Sequence, residues 1–176
     1  MTLVLSIQGP ETIWLLADRR LSYEKKAPKD DARKIMFPEA TDGVAILGYA
    51  GLGATALGTE AADWMSAVLR GRKHPLEQCL GILADAIKKQ LPGHMLFMPK
   101  GSAAHTVVIP AFVEGDLRLY TIDIVLAPDG KFHFRWTKHV SNVPLGSQLP
   151  PRIALGGSGG VYLGCYIRVW THNLIQ

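Results

Sequence analysis

Two short apolar runs open the chain, residues 3–8 and 12–17, with only Gly9-Pro10-Glu11 between them. Both are rich in β-branched and aliphatic residues, and a Gly-Pro pair cannot continue either run. The pattern predicts an antiparallel hairpin beginning at the third residue. A chain that starts this way must bury one face of a sheet, and the rest of the sequence has to supply the cover. If Gln8 pairs with Thr12, opposed positions sum to twenty and Asp18 stands across from Thr2. A slip of one residue would turn the other face inward.

The remaining elements follow from the same kind of reading. Residues 33–37 read as a third strand, turning at residues 39–43 into a fourth over residues 44–49. Ala61, Ala62, Met65, Val68 and Leu69 then recur at helical spacing, with Thr59 as a candidate cap. Pro75 opens a second helix with Leu76, Leu80, Leu83, Ala84 and Ile87 on one face, and Pro92-Gly93 ends it. Residues 106–113, 117–126 and 132–139 return to strand, with turns at Gly115-Asp116 and Pro128-Asp129-Gly130. Strands, a helix pair and strands again suggest two stacked sheets covered by helices. No repeat, low-complexity tract or linker divides the chain, so residues 1–176 are expected to form a single domain.

Thr2 stands at informative distances from two charged residues. Asp18 lies sixteen positions on (18 − 2) and Lys34 thirty-two positions on (34 − 2). With Met1 removed, Thr2 would carry a hydroxyl and a free α-amine on adjacent atoms. A threonine hydroxyl is a weak nucleophile until a base takes its proton. An α-amine, with a reference pKa of about 7.7–8.0, is one of the few groups that can do so near neutrality. Thr2, an acid and a lysine together are the parts of an acyl-transfer site.

These pieces resemble the bacterial members of the proteasome β-type subunit family, in the N-terminal-nucleophile hydrolase superfamily. The matching segments are Thr2 with its strand, Ala17-Asp18-Arg19-Arg20-Leu21-Ser22, Arg33-Lys34, Gly48-Tyr49-Ala50-Gly51 and Gly156-Gly157-Ser158-Gly159-Gly160, in the family's order. The resemblance implies an α+β, four-layer αββα sandwich with a shortened C-terminal part. It implies a threonine-type endopeptidase in a self-compartmentalising ring, with Thr2 as nucleophile, Lys34 as the nearby cation and Asp18 as its holder. The Gly51 N–H would stabilise the oxyanion, and Ser158 would tune the Thr2 amine. Ser22, Tyr49 and Ala50 would line the substrate strand, and Arg20 would support Asp18. It also implies a peptide or unfolded-protein substrate, a homo-oligomeric ring and a possible ATPase partner. The alternatives are a non-catalytic structural ring subunit of the same fold, or an N-terminal-nucleophile amidase.

Gly156 to Gly160 could pass for a phosphate cradle, but a P-loop lysine is missing and no Asp or Glu follows Asp129. The family's aspartate and second serine beyond this motif have no counterpart in the residues after Gly160. Leu163, Ile167, Trp170 and Leu174 share one helical face and are expected to form a helix with an apolar, partner-seeking surface. The net charge is +4 with the basic residues dispersed, which argues against a nucleic-acid surface. Cys79 and Cys165 read as free thiols of a cytoplasmic protein. The six histidines form no pair at ligand spacing, so no metal and no cofactor is expected. No apolar run is long enough to span a bilayer.

Overall fold

The computed structural model describes residues 3–9, 11–21, 27–51, 58–94, 105–126, 129–139 and 152–157. Strands β1 (Val4–Gln8) and β2 (Ile13–Ala17) form the expected hairpin. Then come β3 (Ile35–Met36), β4 (Gly43–Ala45) and β5 (Leu47–Ala50). Helices α1 (Ala61–Leu69) and α2 (Leu76–His94) follow. The chain returns to strand in β6 (His105–Val113), β7 (Asp116–Leu126), β8 (Phe132–His139) and β9 (Arg152–Gly156).

The strands form two sheets. A three-stranded sheet has the order β2-β1-β9, and a six-stranded sheet runs β3-β5-β6-β7-β8 with β4 also on β6. Every named strand pair is antiparallel. β4 and β5 follow one register along β6 and are interrupted at Ile46, whose N–H donates to the Pro110 carbonyl. Pro110 has no N–H to return, so the ladder breaks there without losing its register.

The hairpin register differs from the expected one. Val4 faces Ala17 and Gln8 faces Ile13, so opposed positions sum to twenty-one. The reason is the turn. Gly9 N–H donates to the Thr12 carbonyl at 2.8 Å, which makes Gly9 and Thr12 the last pair and leaves a two-residue loop. Asp18 therefore stands opposite Leu3 rather than Thr2, and its N–H donates to the Leu3 carbonyl.

Two cores result. The helices cover one face of the larger sheet, where Leu47, Met65, Leu76, Leu80, Leu83, Ile109, Tyr120, Ile122 and Ile124 are all buried. Each such side chain contributes about 1.5–3 kcal/mol when taken out of water. On the sheet's other face, Ala50, Val108 and Leu119 meet Val4, Leu15, Ala17 and Ala154 of the smaller sheet. Gly48 lets the sheets close: a Cβ there would stand 2.7 Å from Val4 Cγ1. The α1 cap is Glu60 rather than Thr59, and its side chain makes no capping bond. Its carboxylate accepts instead from Lys29 Nζ and the Arg33 N–H.

The expected four-layer αββα sandwich is thereby corrected. The described residues are dominated by antiparallel sheet, with two helices on one side, and they stack as helix, sheet and sheet. On the far side of the small sheet, Trp14 and Leu16 are more than half exposed. The segment read as a C-terminal helix, with Leu163, Ile167, Trp170 and Leu174, lies outside the described residues.

Candidate functional site

The hairpin, β3 and the end of β5 meet around one lysine. Lys34 immediately precedes β3, and its carbonyl accepts the Tyr49 N–H at 2.9 Å. Its side chain is 4% exposed. The ammonium donates to Asp18 Oδ1 at 3.0 Å and to the Arg20 carbonyl at 2.8 Å. Asp18 Oδ1 also accepts the Leu3 N–H at 2.7 Å. One carboxylate oxygen thus grips both the N-terminal strand and the buried cation. An ammonium has three donors, and these contacts use two of them among the described residues. Charge-assisted bonds of this kind are roughly twice as strong as neutral ones. Removing one partner of a buried pair leaves the other charge uncompensated.

Arg20 contributes differently from the expected support of Asp18. Its guanidinium is turned to Asp30, with Nε 3.6 Å from Oδ1, and it is the Arg20 backbone that holds Lys34. Tyr49 and Ala50 are both buried. Ala50 packs between the sheets with Val4, and Tyr49 belongs to the helix-side core. Thr2, Ser22 and Ser158 lie outside the described residues.

Gly51 directly follows β5 with φ 154°, a backbone conformation that L side chains rarely adopt. Against it stands a residue that reading by sequence passed over. His105 is 1% exposed, and its Nδ1 lies 2.7 Å from Tyr49 Oη. Burial pushes the imidazole down to about 4, so it is neutral at physiological pH. In the sequence His105 is a lone histidine before an apolar strand, with no motif to mark it; its place opposite Gly51 is set by long-range pairing alone.

Other chemistry is sparse. Among the described residues, no group of three or more His, Cys, Asp or Glu could hold a metal ion. Cys79 is a free, buried thiol whose pKa is raised by burial. Among the described residues, no helix is long and apolar enough to cross a membrane.

The combination defines a class by its fold: two antiparallel sheets face to face, helices on the larger one, and a buried lysine beside the N-terminal strand. Solved structures with a similar fold include Anbu chains. The Anbu (Gly-1) mutant from Hyphomicrobium sp. strain MC1 matches with a TM-score of 0.55 at 14% identity, over 90% of this chain and 61% of that one. Anbu from Yersinia bercovieri, described as an ancestral beta-subunit, matches at 0.55 and 13% identity, over 89% and 61%. The chain in the helical assembly of the Anbu complex from Pseudomonas aeruginosa matches at 0.53 and 12%, over 89% and 61%. The chain thus spans about three-fifths of the length of these neighbours. No family model matches it, and no curated protein does. The resemblance to a proteasome β-type subunit is corrected accordingly: the likeness is to Anbu, and at these identities it concerns the fold.

Proposed function

We propose that this chain is a subunit of a self-associating particle of the Anbu type. The fold likeness supports this, one of the neighbours being described as a helical assembly. The open apolar face carrying Trp14 and Leu16 agrees with it, because exposed apolar patches commonly mark partner surfaces. Sedimentation velocity on the untagged protein tests the reading. An oligomer that persists at micromolar concentration is expected, and a stable monomer there would overturn it.

A second reading gives that particle an amide-hydrolysing site. It is favoured by the Lys34 ammonium, buried and held by Asp18 beside the first described residue of the N-terminal strand. After loss of Met1, Thr2 Oγ would attack an amide carbonyl while the Thr2 amine takes its proton. The Oγ–C bond forms, the C–N bond breaks, and the leaving amine carries the proton away. Water then cleaves the ester and restores the hydroxyl. Lys34 would lower the cost of the alkoxide, and the Gly51 N–H would receive the oxyanion, a contribution of roughly 3–4 kcal/mol for such a donor. Ser158 would sit by the amine and Ser22 on the substrate strand. The substrate would be a peptide or unfolded chain, or a small amide, and an ATPase could feed the particle.

Intact mass before and after a peptide epoxyketone separates the readings. Loss of Met1 and a covalent adduct that Thr2→Ala abolishes are expected for the hydrolase. A protein that keeps Met1 and takes no adduct is a non-catalytic subunit.

A further inference from the structure

The β5–β6 register brings Gly51 and His105 together. Gly48 faces Val108, Tyr49 faces Val107 and Ala50 faces Thr106. One step further puts Gly51 opposite His105. Directly opposed residues share a face of the sheet, so their side chains compete for the same space. Here one side has no side chain and the other fills the gap. A Cβ on Gly51 would stand 2.0 Å from His105 Nδ1 and 2.7 Å from its Cγ. The imidazole therefore lies where a side chain at position 51 would be.

The ring is held from behind. Tyr49 is the diagonal neighbour on the same face, and its hydroxyl meets His105 Nδ1 at 2.7 Å. The two rings are 6.0 Å apart, centroid to centroid, and tilted by 34°. On the opposite face Ala50 is fully buried against Val4 and Val108. The peptide between Ala50 and Gly51 is thus gripped from both sides, by a hydrocarbon layer and by an imidazole. Val4 belongs to the N-terminal strand, so this peptide and that strand are parts of one packed unit.

A hydrocarbon would fill this position more cheaply. Burying an imidazole sacrifices its hydration, and a buried polar group costs free energy unless bonded. What the histidine adds is a ring plane fixed by a directional bond, which a leucine lacks. Its neutrality follows from the same burial.

We propose that His105, oriented by Tyr49, is a positioning residue that fixes the direction of the Gly51 backbone N–H. The inference rests on the hydrolase reading, in which that N–H receives the oxyanion. His105 touches no reacting atom in this scheme. It acts through Gly51.

Two measurements on the full-length protein test it together. The first is hydrogen exchange over peptides covering residues 47–51. Tyr49→Phe removes one hydroxyl and keeps the ring, so the fold should survive, and exchange there should quicken. The second is inactivation by a peptide epoxyketone, resolved into binding and bond-forming steps. Tyr49→Phe should slow bond formation by roughly tenfold and His105→Ala by roughly a hundredfold, with binding unchanged, as expected when a donor is misplaced by about 1 Å. His105→Gln, which retains polar atoms, should recover part of the loss. Leu83→Ala serves as the control, since a distant core cavity lowers stability without touching this peptide. Its bond-forming rate should match wild type. Variants that form the adduct at the wild-type rate would overturn the proposal while leaving the hydrolase reading intact. A wild-type protein with no adduct would overturn both. Unchanged exchange in Tyr49→Phe and His105→Ala would remove the buttress itself.

Discussion

Two polar pairs flank the end of β5, and they are built on opposite principles. Lys34 and Asp18 are a charged pair, with the carboxylate side chain 29% exposed and the ammonium almost wholly covered. Tyr49 and His105 are a neutral pair with both residues buried. The charged pair is tied into backbone at both ends, through the Leu3 N–H and the Arg20 carbonyl. The neutral pair is tied into a hydrocarbon core. Charge is retained where water and backbone dipoles can compensate it, and it is given up where they cannot. The first arrangement suits a group that must influence a proton. The second suits a group that must hold a shape.

The largest expected effect breaks the charged pair. Lys34→Met leaves Asp18 without its cation and should lower unfolding free energy by about 3 kcal/mol, at the low end for a buried pair because Asp18 is partly exposed. Urea titration measures this. Lys34→Arg should restore little, since a planar fork cannot replace a compact ammonium between two close acceptors. If Lys34→Met unfolds at the wild-type urea concentration, the pair is not what closes this end of the hairpin.

A comparable loss is expected at the neutral pair from Gly51→Ala, about 2–3 kcal/mol, because the new methyl meets His105 and the backbone is strained. Adding His105→Ala should return part of it, and a double-mutant cycle reads the coupling. Strict additivity would mean that the two residues do not share the space the register assigns them.

The neutral pair should also carry its own pH signature. Unfolded, His105 titrates near the ordinary 6.5, while folded it is held near 4 by burial. Above about pH 6.5 both states hold a neutral ring and nothing is contributed. As pH falls, the unfolded chain takes up its proton first, so stability drops between about 6.5 and about 4, by up to about 3 kcal/mol. The wild-type curve, referenced to His105→Gln, should show this slope. Parallel curves would sink the assignment of a buried neutral imidazole.

The smallest effect lies away from both pairs. Glu77, at the start of α2, accepts from Lys138 and Tyr120, and the Lys138 bond chiefly holds its carboxyl below the usual range. Its side chain is 41% exposed, so Glu77→Gln should cost at most about 1 kcal/mol in a thermal melt. A larger loss would mean that the α2–β8 seam, and not the β5 end, limits stability.

Much of this was legible in the chain. Hydrophobic period and turn residues placed both helices and the strands before β9 within a few residues, with β4 and β5 read as one strand, because those signals are local. The spacing of Asp18 and Lys34 pointed to one site, and the structure brings those two side chains into contact. The hairpin register differs by one residue from the expected one because the Gly9–Thr12 pair closes a loop of two as readily as a longer one. β9 carries no such local signal: its five residues, Arg152–Gly156, have no meaning as a strand until β1 offers them an edge.

The sequence by itself determined the two helices and the strands before β9, the apolar faces of α1 and α2, and the order in which candidate residues occur. Those depend on neighbours a few positions apart, where period and turn chemistry act. Tertiary structure alone decided that β9 lies on β1, that the Arg20 carbonyl and not its guanidinium holds Lys34, and that His105 stands over Gly51. Each of these joins residues between fourteen and more than a hundred positions apart. Such contacts form only when sheets pair and pack, and no local pattern records which partner will arrive.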